Sequence, residues 1–412
     1  RGKKNGYSGW KVSDGWKVPT IPNTTSPQDF FHNYVQQRKP VIIDGHITDP
    51  SWKGDKWNIS YIKEKASQAA VQVEKRLSSQ TGFGLAAEKM EMTFGEFVDE
   101  IDSGSVYLTT QEIPQTASGY EDLFAAPLNH LQSDFPLRPE LLGNLVPYQM
   151  NLWLGKAKEG SSSGLHHDYH DNLYILLSGK KQFRLFSPAD ADKLYVTGTI
   201  STIHPNGLIS YLDLPTRSDG ANSVDVATLE SEQAERELEN AEKEFERIDN
   251  ATDATAEQKQ NALEAVQRAE ERLNNAMEAS IDACEEENWS GSESDVPSEK
   301  VPAEFPNFSK LSIDNLTGKS KLTNKIFPKF SRAREVICEV RENQMLYLPA
   351  SWFHEVTSFV IGDKPHCAMN YWVYPPHVEK GTFEQPYEDN YWSEKWELFV
   401  KEKNVSSPPA KR

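Results

Sequence analysis

The segment Gly164-Leu165-His166-His167-Asp168, followed by the apolar run Leu173-Tyr174-Ile175-Leu176-Leu177, constrains this chain more than any other stretch. In extended backbone an imidazole and a carboxylate two residues apart project from one side, while His167 between them projects from the other. A neutral imidazole and a carboxylate so placed can hold one metal ion, and the apolar run behind them reads as a buried strand over 172–186. A helical alternative exists, because His166 and His170 are four apart and would share a helix face, as in a zinc protease. It fails: residues 172–186 are rich in Tyr, Ile, Leu and Phe with no capping signal, and His167 stands where such a site needs Glu. His170 is then a solvent-side or pocket-rim residue.

A third ligand is expected downstream. Residues 344–357 read as a strand, a turn at Pro349, and a second strand that carries His354 among aromatics. Two His and one carboxylate on a triangular face of an octahedral ion leave three positions open, as in Fe(II) sites that bind a chelating co-substrate and then dioxygen. A 2-oxoacid fills two of those positions, and its far carboxylate needs a cation buried at the other end of the pocket. Lys181, fifteen residues after His166, meets that need, with its aliphatic stem against the apolar wall. Ser163 and Tyr107 are candidate hydroxyls to complete the clamp.

These residues resemble the JmjC branch of the cupin-fold 2-oxoglutarate oxygenases. Ser26-Pro27-Gln28-Asp29-Phe30-Phe31, Arg38-Lys39-Pro40-Val41-Ile42-Ile43, Trp57 and Val71-Gln72-Val73-Glu74 look like that family's approach to the barrel. Asn151-Leu152-Trp153-Leu154-Gly155, Asp171-Asn172-Leu173-Tyr174 and the Leu346 to His354 segment are most similar to the lysyl hydroxylases typified by jumonji domain-containing protein 7, and Met369-Asn370-Tyr371-Trp372 closes the pattern. The resemblance covers residues 19–218 and 300–378 and fails between them. It implies His166, Asp168 and His354 as Fe(II) ligands and Lys181 as the partner of the 2-oxoglutarate distal carboxylate. Tyr107 and Ser163 would donate hydrogen bonds to that carboxylate, and Asn172 and Asn370 would line the pocket. The implied fold is mainly β with helices, a double-stranded β-helix (jelly roll) interrupted by an inserted α-helical hairpin.

The insertion stands out in charge. Residues 229–287 hold 19 Asp and Glu against 6 Lys and Arg, a net −13 out of the chain's −18. Ala234, Leu238, Ala241, Phe245 and Ile248 recur at helical spacing, as do Ala262, Val266, Ala269, Leu273 and Ala276 after a break at Asn250 to Asp253. Thr255 with Gln258 gives a capping-box start to the second helix, and the Ala seams allow close antiparallel packing. The hairpin reads as a tolerated surface insertion, or else as an acidic docking arm for a basic partner. Residues 285–298 read as a flexible return linker. The domain reading is thus 1–218 for the amino-terminal region and first part of the barrel, 219–300 for the insertion, 301–378 for the second part, and 379–412 for a carboxy-terminal helix and tail. That helix has more aromatics than one face against a barrel needs, which leaves packing on the barrel or contact with a second copy as readings.

Three scattered cysteines, Cys284, Cys338 and Cys367, make neither a disulfide framework nor a zinc knuckle and suggest a reducing compartment, cytoplasm or nucleus. No apolar stretch is long enough to span a bilayer. The chain begins at Arg1 without Met, and Arg1-Gly2-Lys3-Lys4 reads as the tail of a leader. The functional expectation is a dioxygenase hydroxylating a protein side chain, lysine by resemblance, with succinate and carbon dioxide as co-products. The partner is a basic or lysine-containing protein segment, with no direct nucleic-acid binding expected. N-methyl-lysine demethylation of a histone is the alternative, and a silent cupin acting as a binding module is the third reading.

Overall fold

The computed structural model describes residues 4–75, 88–113, 122–156, 161–212, 216–292, 305–359, 361–362 and 364–406. The Arg1 to Lys3 part of the proposed leader tail and residues 293–298 of the proposed linker lie outside them. The backbone falls into two compact units, residues 1–220 with 302–412, and residues 221–301.

Two sheets make the first unit's barrel. The larger has nine strands in the order Thr20–Pro22, Val41–Asp44, Gln344–Leu348, Asp171–Ser178, His366–Val373, Pro147–Gly155, Val106–Leu108, Ala70–Lys75 and Glu88–Thr93. The smaller has four, in the order Glu335–Arg341, Lys180–Phe186, Phe353–Phe359 and Ser161–Ser162. Alternation sorts the side chains of Asp171–Ser178 between two cores. Tyr174 and Leu176 face the smaller sheet, where they join Phe183, Leu185, Val336, Val340 and Leu346. Leu173, Ile175 and Leu177 face the opposite way, into a core shared with Phe30, Phe94, Phe97, Met369 and Tyr371. Being covered on both faces is what makes this strand read as an unbroken apolar run.

The single strand expected over 172–186 is in fact two. Gly179 takes φ +93°, and a Cβ there would lie 2.9 Å from the Cβ of His366, so only glycine turns this corner. The chain passes through it from the larger sheet into the smaller and carries Lys181 inward.

Helices close the outer face of the larger sheet. Asn58 caps Ile59–Ala66 by accepting from the Tyr61 N–H, and Thr93 and Glu96 form a reciprocal capping box at the start of Phe94–Glu100. In the carboxy-terminal helix, Tyr391–Ser406, the aromatics Tyr391, Trp392 and Phe399 are buried, with the Trp392 ring stacked on Tyr374. These three pack against the chain's own barrel.

The second unit is a helical hairpin of Ser223–Asp249 and Ala256–Ser292. Its contacts run in opposite senses along the chain: Ser231 Oγ donates to the Ala276 carbonyl (3.1 Å), Arg272 bonds Glu237 (2.5 Å), and Lys259 bonds Asp249 (2.9 Å). The helices are therefore antiparallel, with Ala234, Ala262 and Ala269 buried in the seam. Thr255 and Gln258 exchange the expected capping bonds, at 2.8 and 3.1 Å. The second helix runs on to Ser292, so residues 285–292 of the proposed linker are helical instead. No helix among the described residues is long and apolar enough to cross a membrane.

Candidate metal centre

His166 and His354 are neighbours across an antiparallel bridge: the N–H of each donates to the carbonyl of the other, at 3.1 and 2.7 Å. Residues so paired project from one face, and the two imidazole centroids lie 4.3 Å apart. Each ring turns its Nδ1 to a backbone carbonyl, His166 to Gly164 (3.0 Å) and His354 to Trp352 (2.9 Å). A ring nitrogen facing a carbonyl carries the proton, which leaves both Nε2 atoms with free lone pairs. Those atoms converge on Asp168, 3.9 Å from Oδ1 for His166 and 3.7 Å from Oδ2 for His354. One ligand atom from each of the three lies within 4.8 Å of the others. Burial, with the His354 ring beside it, pushes the His166 pKa down and holds the imidazole neutral, the form that ligates.

A buried network fixes this end of the barrel. The carboxylate of Asp171 accepts from the Arg38 guanidinium (2.8 Å to Nη1, with Nη2 also bonded), the Tyr347 hydroxyl (2.6 Å) and the Ala350 N–H (2.8 Å). Beside it, Ser351, held at φ +59°, donates its N–H to the Asp168 carbonyl at 2.8 Å. The turn that launches the His354 strand is thereby tied to the loop that carries Asp168. Arg38 and Asp171 both stood in the family-like segments, but their pairing depends on tertiary contact across the whole barrel. The available signal was that an acid ahead of a doubly buried strand needs a partner.

Lys181 lies in the same cavity, a space of about 280 Å³ that also takes in Asn172, Trp153 and Trp372. Its ammonium is buried and donates to Ser358 Oγ (2.5 Å) and Tyr107 Oη (3.4 Å). Among the described residues no carboxylate lies within ion-pair distance of it. Desolvation draws its pKa down to about 7. Ser358 reaches it because the sheet register sets Lys181 directly opposite, four residues along the strand from His354.

Of the other expected residues, Tyr107 is buried against Lys181, whereas Ser163, although in the cavity wall, bonds to backbone. Its hydroxyl donates to the Gly164 carbonyl (3.0 Å) and accepts from the Val356 N–H (3.1 Å). The hydroxyl set beside the ammonium from this sheet is that of Ser358, which the sequence did not single out. Asn370 is fully buried and braces the wall, accepting from Trp153 Nε1 (2.9 Å) and donating to Asn172 Oδ1 (3.2 Å). His167 turns away and meets the Tyr211 hydroxyl at 2.7 Å. His170 is half-buried, flat against Tyr148 at 3.9 Å.

One wall came with no warning. The chain re-enters the first unit along residues 305–309, where Asn307 and the backbone of His167 exchange bonds of 2.6 and 3.3 Å. The Phe308 ring stacks on His166 at 4.7 Å. This short segment follows the insertion and has no periodicity to betray it.

A two-sheet barrel with two imidazoles and a carboxylate converging at one end is the architecture of a cupin. The chain belongs to the cupin-like JmjC family: the profile of the cupin-like domain matches residues 27–377. It is 34% identical over 436 residues to JmjC domain-containing protein 4 of Schizosaccharomyces pombe, covering 95% of this chain and 92% of that one. It is 26% identical to the lysine-specific demethylase JMJ32 of Arabidopsis thaliana, over 45% of this chain and 55% of the relative. The human bifunctional peptidase and (3S)-lysyl hydroxylase JMJD7 is 25% identical, over 42% and 55%. JmjC proteins are in general 2-oxoglutarate-dependent oxygenases that use Fe(II).

Proposed function

We propose that this protein is an Fe(II)- and 2-oxoglutarate-dependent dioxygenase that hydroxylates a protein side chain, with lysine as the target. The observation that carries the reading is the pairing, in one cavity, of three converged side-chain atoms of the kind that ligate a metal with a buried ammonium whose partners are hydroxyls. The donor set fits a hard-to-borderline divalent ion with open positions, and the uncompensated cation fits a dicarboxylate anchored at its far end. In this reading His166, Asp168 and His354 hold the iron. Lys181 pairs with the distal carboxylate of 2-oxoglutarate, assisted by Tyr107 and Ser358, with Ser163 keeping the Gly164 bend in shape. Asn172 and Asn370 hold the wall. When bound, iron and 2-oxoglutarate together activate dioxygen, yielding succinate and carbon dioxide and placing one oxygen atom in a substrate C–H bond.

The residues orient rather than react. Gly164 and Trp352 carbonyls fix the imidazole tautomers, Asp171 and Arg38 fix the loop of Asp168, and Trp153, Trp372 and Phe308 provide apolar walls that exclude water. Lysine as the target is favoured by the relative named as a lysyl hydroxylase. The relatives named as lysine-specific demethylases favour a second reading, in which the attacked carbon is an N-methyl group and formaldehyde is released.

The test is succinate formation from 2-oxoglutarate under Fe(II) and air, with mass spectrometry of lysine-containing proteins after turnover. A gain of one oxygen on unmodified lysine is expected. Succinate no higher than in His166→Ala would sink the enzyme reading, and loss of a methyl with formaldehyde would replace hydroxylation by demethylation.

A further inference from the structure

Two residues beyond Phe308 the chain changes character. From Lys310 to Arg334 it carries seven Lys and Arg against one acid, Asp314, in a protein of net charge −18. All seven cations are exposed. Lys329 faces Asp192 at 3.5 Å and Arg334 faces Asp14 at 2.9 Å. Lys310, Lys319, Lys321, Lys325 and Arg332 have no ion-pair partner among the described residues. The same stretch leaves Ile313, Leu322 and Ile326 at 40%, 55% and 56% exposure.

This surface is built, not loose. The Ser320 N–H donates to the Asp314 carbonyl (3.0 Å) and Asn315 Nδ2 to Thr323 Oγ1 (3.0 Å). Phe327 packs on Tyr195 and Phe330 on Phe186, at 5.0 and 6.1 Å between centroids. Its aromatics therefore turn inward, and its aliphatics and ammonium groups turn out.

We propose that this surface docks an acidic, amphipathic segment of the protein substrate, one in which aliphatic residues stand at helical spacing among Asp and Glu. Unanswered cations on an acidic protein select and steer a partner of opposite charge. The chemistry of the apolar part narrows the class. A single-stranded nucleic acid would want outward aromatic platforms for its bases, and phosphates alone gain nothing from Leu322 and Ile326, whereas an amphipathic acidic peptide uses both. The surface also begins at the site itself, because the Ser309 N–H donates to the Leu165 carbonyl at 2.8 Å, next to His166. A segment docked there is held beside the cavity. The inference rests on the substrate being a protein, so its test measures binding without turnover.

The full chain is titrated into a fluorescein-labelled peptide with Glu and Leu at helical spacing, a Glu/Ser version, a Lys/Leu version, and an oligouridylate of equal charge, with anisotropy as the readout. The Glu/Leu peptide is expected to bind best, more weakly as salt rises. Reversing Lys319, Lys321 and Lys325 to Glu should weaken it by about tenfold, and so should Leu322→Ser with Ile326→Ser. Both variants leave the cavity untouched and should keep wild-type succinate formation in the absence of substrate. Tighter binding of the oligouridylate, or Glu/Leu binding no better than Lys/Leu, would overturn the proposal. Absence of succinate in the wild type would instead remove the functional reading and leave the binding result standing.

Discussion

A buried ammonium surrounded by hydroxyls is uncomfortable until an anion arrives, and Lys181 carries that tension in its pKa of about 7. Folded, the amine holds its proton less well than at its ordinary value of 10.5, so below about pH 7 the full penalty of a buried charge acts on the ligand-free protein. The penalty fades as pH rises toward 10.5. A bound dicarboxylate reverses this by favouring the charged form. Binding of 2-oxoglutarate at pH 8 should therefore take up a proton, and affinity should fall between pH 7 and 9. Calorimetry in buffers of different ionisation enthalpy checks both effects, and Lys181→Met should abolish them while weakening binding by roughly tenfold or more. Ser358→Ala should raise the 2-oxoglutarate KM several-fold and Ser163→Ala leave it near wild type, since one hydroxyl meets the ammonium and the other meets backbone. At this scale the sequence was readable where spacing is local. A period of two picked out His166 and Asp168, although the structure holds His166 at an isolated bridge with Asp168 just beyond it and in no regular strand; His354 and Lys181 lie in the same cavity. Ser358 was not readable, because its place opposite Lys181 is a property of register between strands far apart in the chain.

The elements show the same division. The apolar stretch behind Asp168 announced a strand but not its corner, since strand-forming residues stand on both sides of Ser178-Gly179 and the positive φ of that glycine marks the change of sheet. The amphipathic spacing placed the two hairpin helices, yet their outer turns lie beyond the Ala seams that identified them, so the second helix outlasts its pattern. The larger omission was the Asp171 network, which binds Val41–Asp44's neighbouring Arg38, the Gln344–Leu348 strand through Tyr347, and the turn at Ala350. Asp171→Asn would leave the Arg38 guanidinium buried without its counter-charge. A loss of about 3–5 kcal/mol is expected in urea denaturation, with Fe(II) affinity reduced in the protein that remains folded.

For the molecule as a whole, the two-unit division makes a direct claim about separability. Residues 221–301 form their own compact unit, and the His166, Asp168 and His354 cluster, Lys181 and the cavity all lie in the other. Replacing residues 229–287 by a short linker should leave Fe(II) and 2-oxoglutarate binding unchanged in anaerobic titration, and loss of either would show that the hairpin supports the barrel. Charge made the insertion conspicuous, since a net −13 in so short a stretch has no counterpart elsewhere in the sequence. What lay hidden was the return of the chain at Phe305 to Phe308, where a few residues without pattern become a wall of the site.

The bridge between His166 and His354 ties the metal centre to the order in which the chain is made. His166 and Asp168 emerge from the ribosome first, and the entire acidic hairpin is synthesised before His354 follows. Two of the three residues on a growing chain would hold an ion weakly, and the third arrives on Phe353–Phe359, an inner strand of the smaller sheet. In the reading proposed above, iron is therefore captured by a finished barrel, and a redox-active ion is kept off the half-made chain.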